Sequence, residues 1–139
     1  IPLALGGQPW QEGLMFGVVF SSEGYDLMQA ILKDHDADSA RGPRFRNVLE
    51  NYRELQQWVD DGAPGRLWND ATAMVIEGKA GMQIMGDWAR GEFQVAGLVP
   101  KNEYNCIIPG KKKDTLQLNK KNKFNYIQKI MRNNNYDFN

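Results

Sequence analysis

Two short clusters in this 139-residue chain gather the residue types that bind small polar molecules: Gly6-Gly7-Gln8-Pro9-Trp10-Gln11 and Gly86-Asp87-Trp88. In the first, glycines permit close approach of a ligand to the backbone. Trp10 offers a flat apolar face beside the side-chain amides of Gln8 and Gln11. In the second, Asp87 supplies a carboxylate that accepts two hydroxyl hydrogen bonds at once, and charged acceptors make the stronger bonds. A pyranose ring, with an apolar C–H face and a rim of hydroxyls, needs such a pairing of aromatic platform and fixed polar groups. Each residue also has a purely structural reading. Trp10 is then a core residue at a helix start, and Asp87 is the cap of the helix that follows it.

Other reactive residue types lack the spacing that chemistry needs. His35 stands between Asp34 and Asp36, but one histidine with adjacent acids lacks ligand spacing, and a solvated loop position is expected. Asp60-Asp61 reads as a solvated helix end, and Trp68 as a core plug in preference to a rim aromatic. The chain has no Gly-x-Ser-x-Gly, no Cys/His couple and no phosphate loop. No acid pair is placed for glycoside hydrolysis. Its one cysteine, Cys106, excludes an internal disulfide and a Cys-rich metal site. The expectation is binding without catalysis, metal or cofactor.

The elements that must position these clusters alternate along the chain. Leu3–Leu5 is strand-like and stops at Gly6-Gly7; Pro9 then suits the first turn of a helix running to Phe20. Tyr25–Leu32 sets Leu27, Met28, Ile31 and Leu32 on one helical face, and a polar loop reaches from Asp34 to Pro43. The spacing of Phe45, Val48, Leu49, Tyr52, Leu55, Trp58 and Val59 predicts a long helix over Arg44–Val59, with Phe45, Leu49, Tyr52 and Leu55 buried. A further helix starts from about Asp70 as its cap and closes at Gly78. Within GKAGMQIMGDWARGEF (78–93), Ala80, Met82 and Ile84 alternate with Gly81, Gln83 and Met85 as a strand does, and Gly86-Asp87-Trp88 turns the chain into a helix. The fold class expected is α/β, rich in helix. Trp10 and Asp87 both follow a strand and open a helix, so parallel neighbouring strands would set the two turns side by side.

Length and charge bound the rest. The chain is one domain's worth, and its longest apolar run, Leu14–Phe20, falls far short of the roughly 20 residues a spanning helix needs. Net charge is zero overall, yet residues 1–100 carry 8 Lys+Arg against 14 Asp+Glu, and residues 101–139 carry 9 against 3. Those last residues hold 9 of the 12 asparagines. Residues 111–139 therefore read as a Lys/Asn-rich tail, expected to be disordered and without a selected role. The competing reading is a basic arm for an interaction partner, nucleic acid or anionic lipid. Phe124, Ile127, Ile130 and Met131 fit one or two amphipathic helical turns.

Over about residues 1–110 the chain closely resembles the extracellular sugar-binding proteins of bacterial ABC importers, of the glucose- and maltose-binding type. The pattern Gly-Lys-Ala-x-Met-x-Ile-x-Gly-x-Trp at Gly78–Trp88 carries the resemblance. It implies a partial, second lobe of a two-lobed periplasmic-binding-protein fold, with the sugar held in the cleft between lobes. It further implies a site containing Gln8, Trp10, Asp87 and Trp88, a monosaccharide or small oligosaccharide as ligand, no cofactor and no nucleic acid. The partner implied is a membrane permease that receives the sugar from the full-length parent. The location implied is periplasmic or extracellular, at the membrane, although no signal peptide is visible. A chain beginning Ile1-Pro2-Leu3 looks like a fragment whose start is missing.

Overall fold

Two parallel strands lie side by side in the computed structural model, which describes residues 1–107 and 127–132. Strand β1 (Leu3–Ala4) pairs with β2 (Met82–Gly86), Leu3 facing Met82 and Ala4 facing Gln83. Between them in sequence run five helices: α1 (Pro9–Ser22), α2 (Tyr25–Leu32), α3 (Ala37–Arg41), α4 (Pro43–Gln56) and α5 (Trp68–Ile76). A short helical turn at Asp87–Ala89 leads from β2 into α6 (Arg90–Val95), followed by β3 (Tyr104–Ile107) and β4 (Ile127–Arg132). The sheet order is β1-β2-β4-β3, with β4 antiparallel to both of its neighbours. The α/β class expected from the alternation is what the chain adopts.

Period-2 alternation decides which side chain faces which layer. Leu3, Leu5, Met82 and Ile84 pack with Met15 and Val18 of α1 on one side of the sheet. On the other side, Ala4 and Met85 pack with Ala71 and Val75 of α5, Ala89, and Phe93 of α6. Phe93 stacks on Tyr104 at 4.3 Å between ring centroids. Helices cover both faces, so every residue of β2 is buried. Gln83 is the polar exception. The Thr72 hydroxyl donates to its Oε1 at 2.8 Å, and its Nε2 donates to the Trp68 carbonyl at 3.1 Å, which satisfies a group that would be costly to bury unpaired.

A third cluster of Val19, Phe20, Leu27 and Val48 binds α1, α2 and α4 together. Pro9 opens α1 as expected, and α2 has the expected bounds. The polar stretch Asp34–Pro43 is not all loop. Asp36 accepts from the backbone N–H of Asp38 and Ser39, capping the five-residue α3.

Helix α4 ends at Gln56, and its buried residue is Val48. Leu49, expected in the core, is 48% exposed, while Phe45, Tyr52 and Leu55 are half-buried. The apolar stripe of α4 is wider than the strip that α1 and α2 cover. Helix α5 starts at Trp68, so Asp70 lies in its first turn and Leu67 holds the cap position. Gly78 closes the segment after α5 with φ 75°, a backbone conformation that favours glycine.

Ile127–Arg132 forms a strand where the 127/130/131 spacing suggested helical turns and the composition suggested no structure. Its isoleucines suit a strand, and it pairs along both edges, whereas an isolated helix of one or two turns is marginal in water. The remainder of the expected tail, residues 108–126 and 133–139, lies outside the described residues.

Candidate functional site

The ends of β1 and β2 bring the two sequence clusters together. Trp10 stands in the first turn of α1, Trp88 in the helical turn after β2, and their ring centroids are 6.2 Å apart with the planes at 56°. Both indoles are open to solvent, Trp10 at 41% and Trp88 at 51%. Neither is a core residue. Carbon atoms in contact sit about 3.5–4 Å apart, so a ring inserted between two indoles would hold them roughly 7–8 Å from each other. These two already touch. They form one continuous, angled apolar surface.

Glycine sets the position of Trp88. A Cβ on Gly86 would collide with the six-membered ring of Trp88, which folds back over the end of β2. Asp87, between them, is exposed, and Gly86 holds the N-cap position of the turn with no side-chain cap. The capping role open to Asp87 in the sequence is therefore not the one it plays, and its carboxylate stands at the solvent-facing end of the strand.

The glycines before Trp10 serve the protein's own packing. A Cβ on Gly6 would strike the Gln11 side chain and the Arg66 carbonyl, and one on Gly7 would strike the Pro64 backbone. The close approach at this turn is by residues 64–66, with the Gly7 N–H donating to the Arg66 carbonyl at 3.0 Å.

Gln8 is half-buried beside this turn. Its Oε1 accepts from Gln11 Nε2 at 2.9 Å and from the Trp68 N–H at 3.2 Å. Gln11, fully buried, accepts from the Gly6 N–H at 3.2 Å. The side-chain oxygen of Gln8 thus locks α1 against the start of α5, and only its Nε2 is left to face a ligand.

Arg66 and Asp60 complete the support. The guanidinium donates to both carboxylate oxygens of Asp60, with Nη1 at 2.7 Å from Oδ1, and also to the Leu5 carbonyl at 3.0 Å. The Arg66 hydrogen bonds hold the Asp60 carboxyl below the ordinary carboxylate range, and Asp60 in turn raises Arg66. Asp60 is therefore a structural anchor for the end of β1, not a solvated helix end. Its signal in the sequence was an arginine six residues on, across a Gly/Pro turn.

The remaining candidates lie elsewhere. His35 is exposed with φ 54°, in the solvated position expected. Trp68 packs against the core cluster, half-buried. Burial pushes the Cys106 thiol upward, with Arg90 opposing it. Among the described residues no group of three or more His, Cys, Asp or Glu is placed to hold a metal ion. No helix there is long and apolar enough to cross a membrane.

No protein-family model matches the chain. A probable sugar-binding periplasmic protein of Rhizobium meliloti is 44% identical over 110 residues, which is 78% of this chain and 27% of that protein. The chain is a relative of periplasmic sugar-binding proteins. A probable sugar-binding periplasmic protein of Mesorhizobium japonicum is 45% identical over 112 residues, or 79% of this chain and 27% of its own length. An uncharacterized ABC transporter extracellular-binding protein of Pyrococcus horikoshii is 31% identical over 108 residues, 76% of this chain and 24% of its own. The chain spans about a quarter of the length of the curated relatives it matches. The resemblance carried by the Gly78–Trp88 pattern thus extends across most of the chain.

Proposed function

We propose that this chain carries one side of a sugar-binding site, in a protein that captures a monosaccharide or small oligosaccharide outside the cytoplasm for ABC-type import. The observation that carries this reading is the exposed Trp10–Trp88 pair at the ends of two parallel strands. Sugar rings stack on aromatic faces through their C–H groups, and open α/β sheets bind ligands at the carboxyl ends of their strands. The angled indoles touch each other, so the sugar lies across the pair and not between them. Asp87 then accepts from one or two sugar hydroxyls, and Gln8 Nε2 donates to another.

The reading is binding without cleavage, in line with relatives that are named for binding. In the relatives' full length, roughly three times this chain, the proposal extends to a second lobe that closes over the sugar and to delivery to a membrane permease from the periplasmic or extracellular side.

Titration of the chain with glucose and with maltose, followed by tryptophan emission and calorimetry, tests the reading. A saturable emission change that Trp10→Ala abolishes is expected. A second titration uses a chimera in which residues 1–107 replace the matching segment of the Rhizobium meliloti relative. No saturable binding of any sugar in either protein overturns the proposal.

A further inference from the structure

Trp68 opens α5, and its backbone groups are gripped from both sides. Its N–H donates to Gln8 Oε1 at 3.2 Å, and its carbonyl accepts from Gln83 Nε2 at 3.1 Å. Gln8 holds the cap position of α1, whose first turn carries Trp10. Gln83 lies on β2, which runs into the Asp87–Ala89 turn that carries Trp88. The first N–H groups of a helix have no partner within it, and Leu67 supplies none for α5 from its side chain. Gln8 therefore caps α5 from outside while also accepting from Gln11 Nε2 at 2.9 Å. These bonds form one chain, from β2 through the start of α5 to the start of α1.

Stability alone does not explain an amide at position 83. Gln83 is fully buried, and Met85 shares its sheet face by the period-2 alternation. Exchanging hydrogen-bonded groups in a core for apolar ones of the same shape is close to neutral. The Thr72 hydroxyl lies 2.8 Å from Gln83 Oε1 and 3.0 Å from the Trp68 carbonyl. A hydroxyl has one proton, so Thr72 can serve Trp68 alone when an apolar side chain stands at 83. What the amide adds is direction. With Oε1 held by Thr72, Nε2 is aimed at Trp68, and a fully satisfied buried network fixes one arrangement of the elements it joins.

We propose that Gln83 is a positioning residue for the tryptophan pair, acting through the Trp68 backbone and Gln8 to set the distance and angle at which Trp10 meets Trp88. A binding constellation works only while its groups are held within about 0.5 Å and 10–20°, and this chain of bonds spans the two turns that carry the indoles. The consequence for sugar affinity rests on the reading proposed above, whereas the consequence for indole geometry does not.

Circular dichroism of the full chain reads the pair directly, because two indoles in contact couple their transitions into a bisignate couplet. Trp10→Phe and Trp88→Phe should each abolish it, which assigns it to the pair. Gln83→Met, close in volume and without an amide, should lose about half of the couplet or more while keeping its helical ellipticity. Thr72→Val, which frees the amide to turn, should lose it likewise. Thr72→Ser, which keeps the hydroxyl, should retain it. A couplet unchanged in Gln83→Met or in Thr72→Val overturns the proposal, as does equal loss in Thr72→Ser and Thr72→Val, or a wild-type spectrum without the couplet. Loss that comes only with lost ellipticity in both Gln83→Met and Thr72→Val makes these bonds supports of the fold alone, and overturns it too. Titration with glucose and maltose separates the two readings. A couplet that falls in Gln83→Met, in a protein whose wild type binds neither sugar, supports the positioning and counts against the platform.

Discussion

Trp10 and Trp88 meet at 6.2 Å across the ends of two parallel strands, and neither is in the core. Each indole is held by a different device. Trp10 rides the first turn of α1, whose start is fixed by Gln8, Gln11 and the Arg66–Asp60 pair. Trp88 lies back over Gly86. Replacing either exposed indole should leave folding nearly untouched, within about 0.5 kcal/mol by denaturant titration. The same change should weaken sugar binding by about tenfold or more, or roughly 1.4 kcal/mol. An affinity unchanged in both Trp10→Ala and Trp88→Ala would remove the platform from the site.

Alanine at Gly86 and at Gly7 should have opposite profiles. At Gly86 the added Cβ meets the ring of a half-exposed side chain, which can swing away; at Gly7 it meets the Pro64 backbone. Gly86→Ala should therefore cost little stability but shift tryptophan emission, because the ring must leave the strand end. Gly7→Ala should cost about 1–3 kcal/mol, as over-packing does where backbone has to move. Denaturant melts and emission spectra of the two variants decide it, and equal stability losses would contradict the geometry.

Much of this arrangement was legible before the fold. Gly6-Gly7 and Gly86 mark strand ends, Pro9 marks a helix start, and two strand-to-helix turns on parallel strands must adjoin. What escaped was the division of labour within each cluster. Local patterns do not reveal that Gln8 spends its oxygen on Trp68 and Gln11, because those partners depend on how α5 packs. They also cannot reveal that Trp10 would meet Trp88 more directly than Asp87. The Asp60–Arg66 pair and the Gln83–Thr72 bond share that blindness: both rest on tertiary placement. The buried face of α4 departs from its apolar periodicity for another reason. Periodicity gives the apolar stripe, but the width of its cover depends on the neighbours.

The buried face of α4 can be measured. Val48 is fully buried in the cluster with Val19, Phe20 and Leu27, whereas Leu49 is half-exposed. Val48→Ala should cost about 1.5–3 kcal/mol, the transfer loss of its methyl groups plus the cavity. Leu49→Ala should stay within about 0.5 kcal/mol. Urea unfolding of the pair would reverse the assignment of the α4 face if Leu49 proved the costlier loss.

Acid should act through Asp60. Its folded-state carboxyl titrates below the ordinary carboxylate range because Arg66 hydrogen-bonds to it. A depressed acid contributes stability that is present above its unfolded value and lost as pH falls through the folded one. The urea midpoint should fall as pH drops below about 4. Asp60→Asn should flatten that part of the fall while lowering stability at neutral pH, since Arg66 then lacks its charged partner. An acid limb identical in wild type and Asp60→Asn would assign it to other carboxyls.

Alkali should act through Tyr52, with the opposite sign. Desolvation, together with the hydrogen bond it donates to the Glu12 carboxylate, raises its hydroxyl from 10.0 to about 12. The neutral phenol is the form that the folded protein holds, bonded to Glu12 and packed nearly perpendicular to Phe16 at 5.4 Å between ring centroids. In the unfolded chain the same phenol ionises near its ordinary value. Between pH 10 and about 12 the unfolded state therefore sheds a proton that the folded state keeps. The contribution to stability is complete below pH 10 and declines as pH rises through that window. Tyr52→Phe removes both the proton and the bond to Glu12, so it should lower stability at neutral pH and lessen the alkaline decline. Stability followed by urea titration at successive pH values, with α-helical ellipticity as the probe, separates the two effects. A wild-type decline from pH 10 upward that Tyr52→Phe fully retains would mean that Glu12 and Tyr52 do not hold α1 to α4 in the way their geometry indicates.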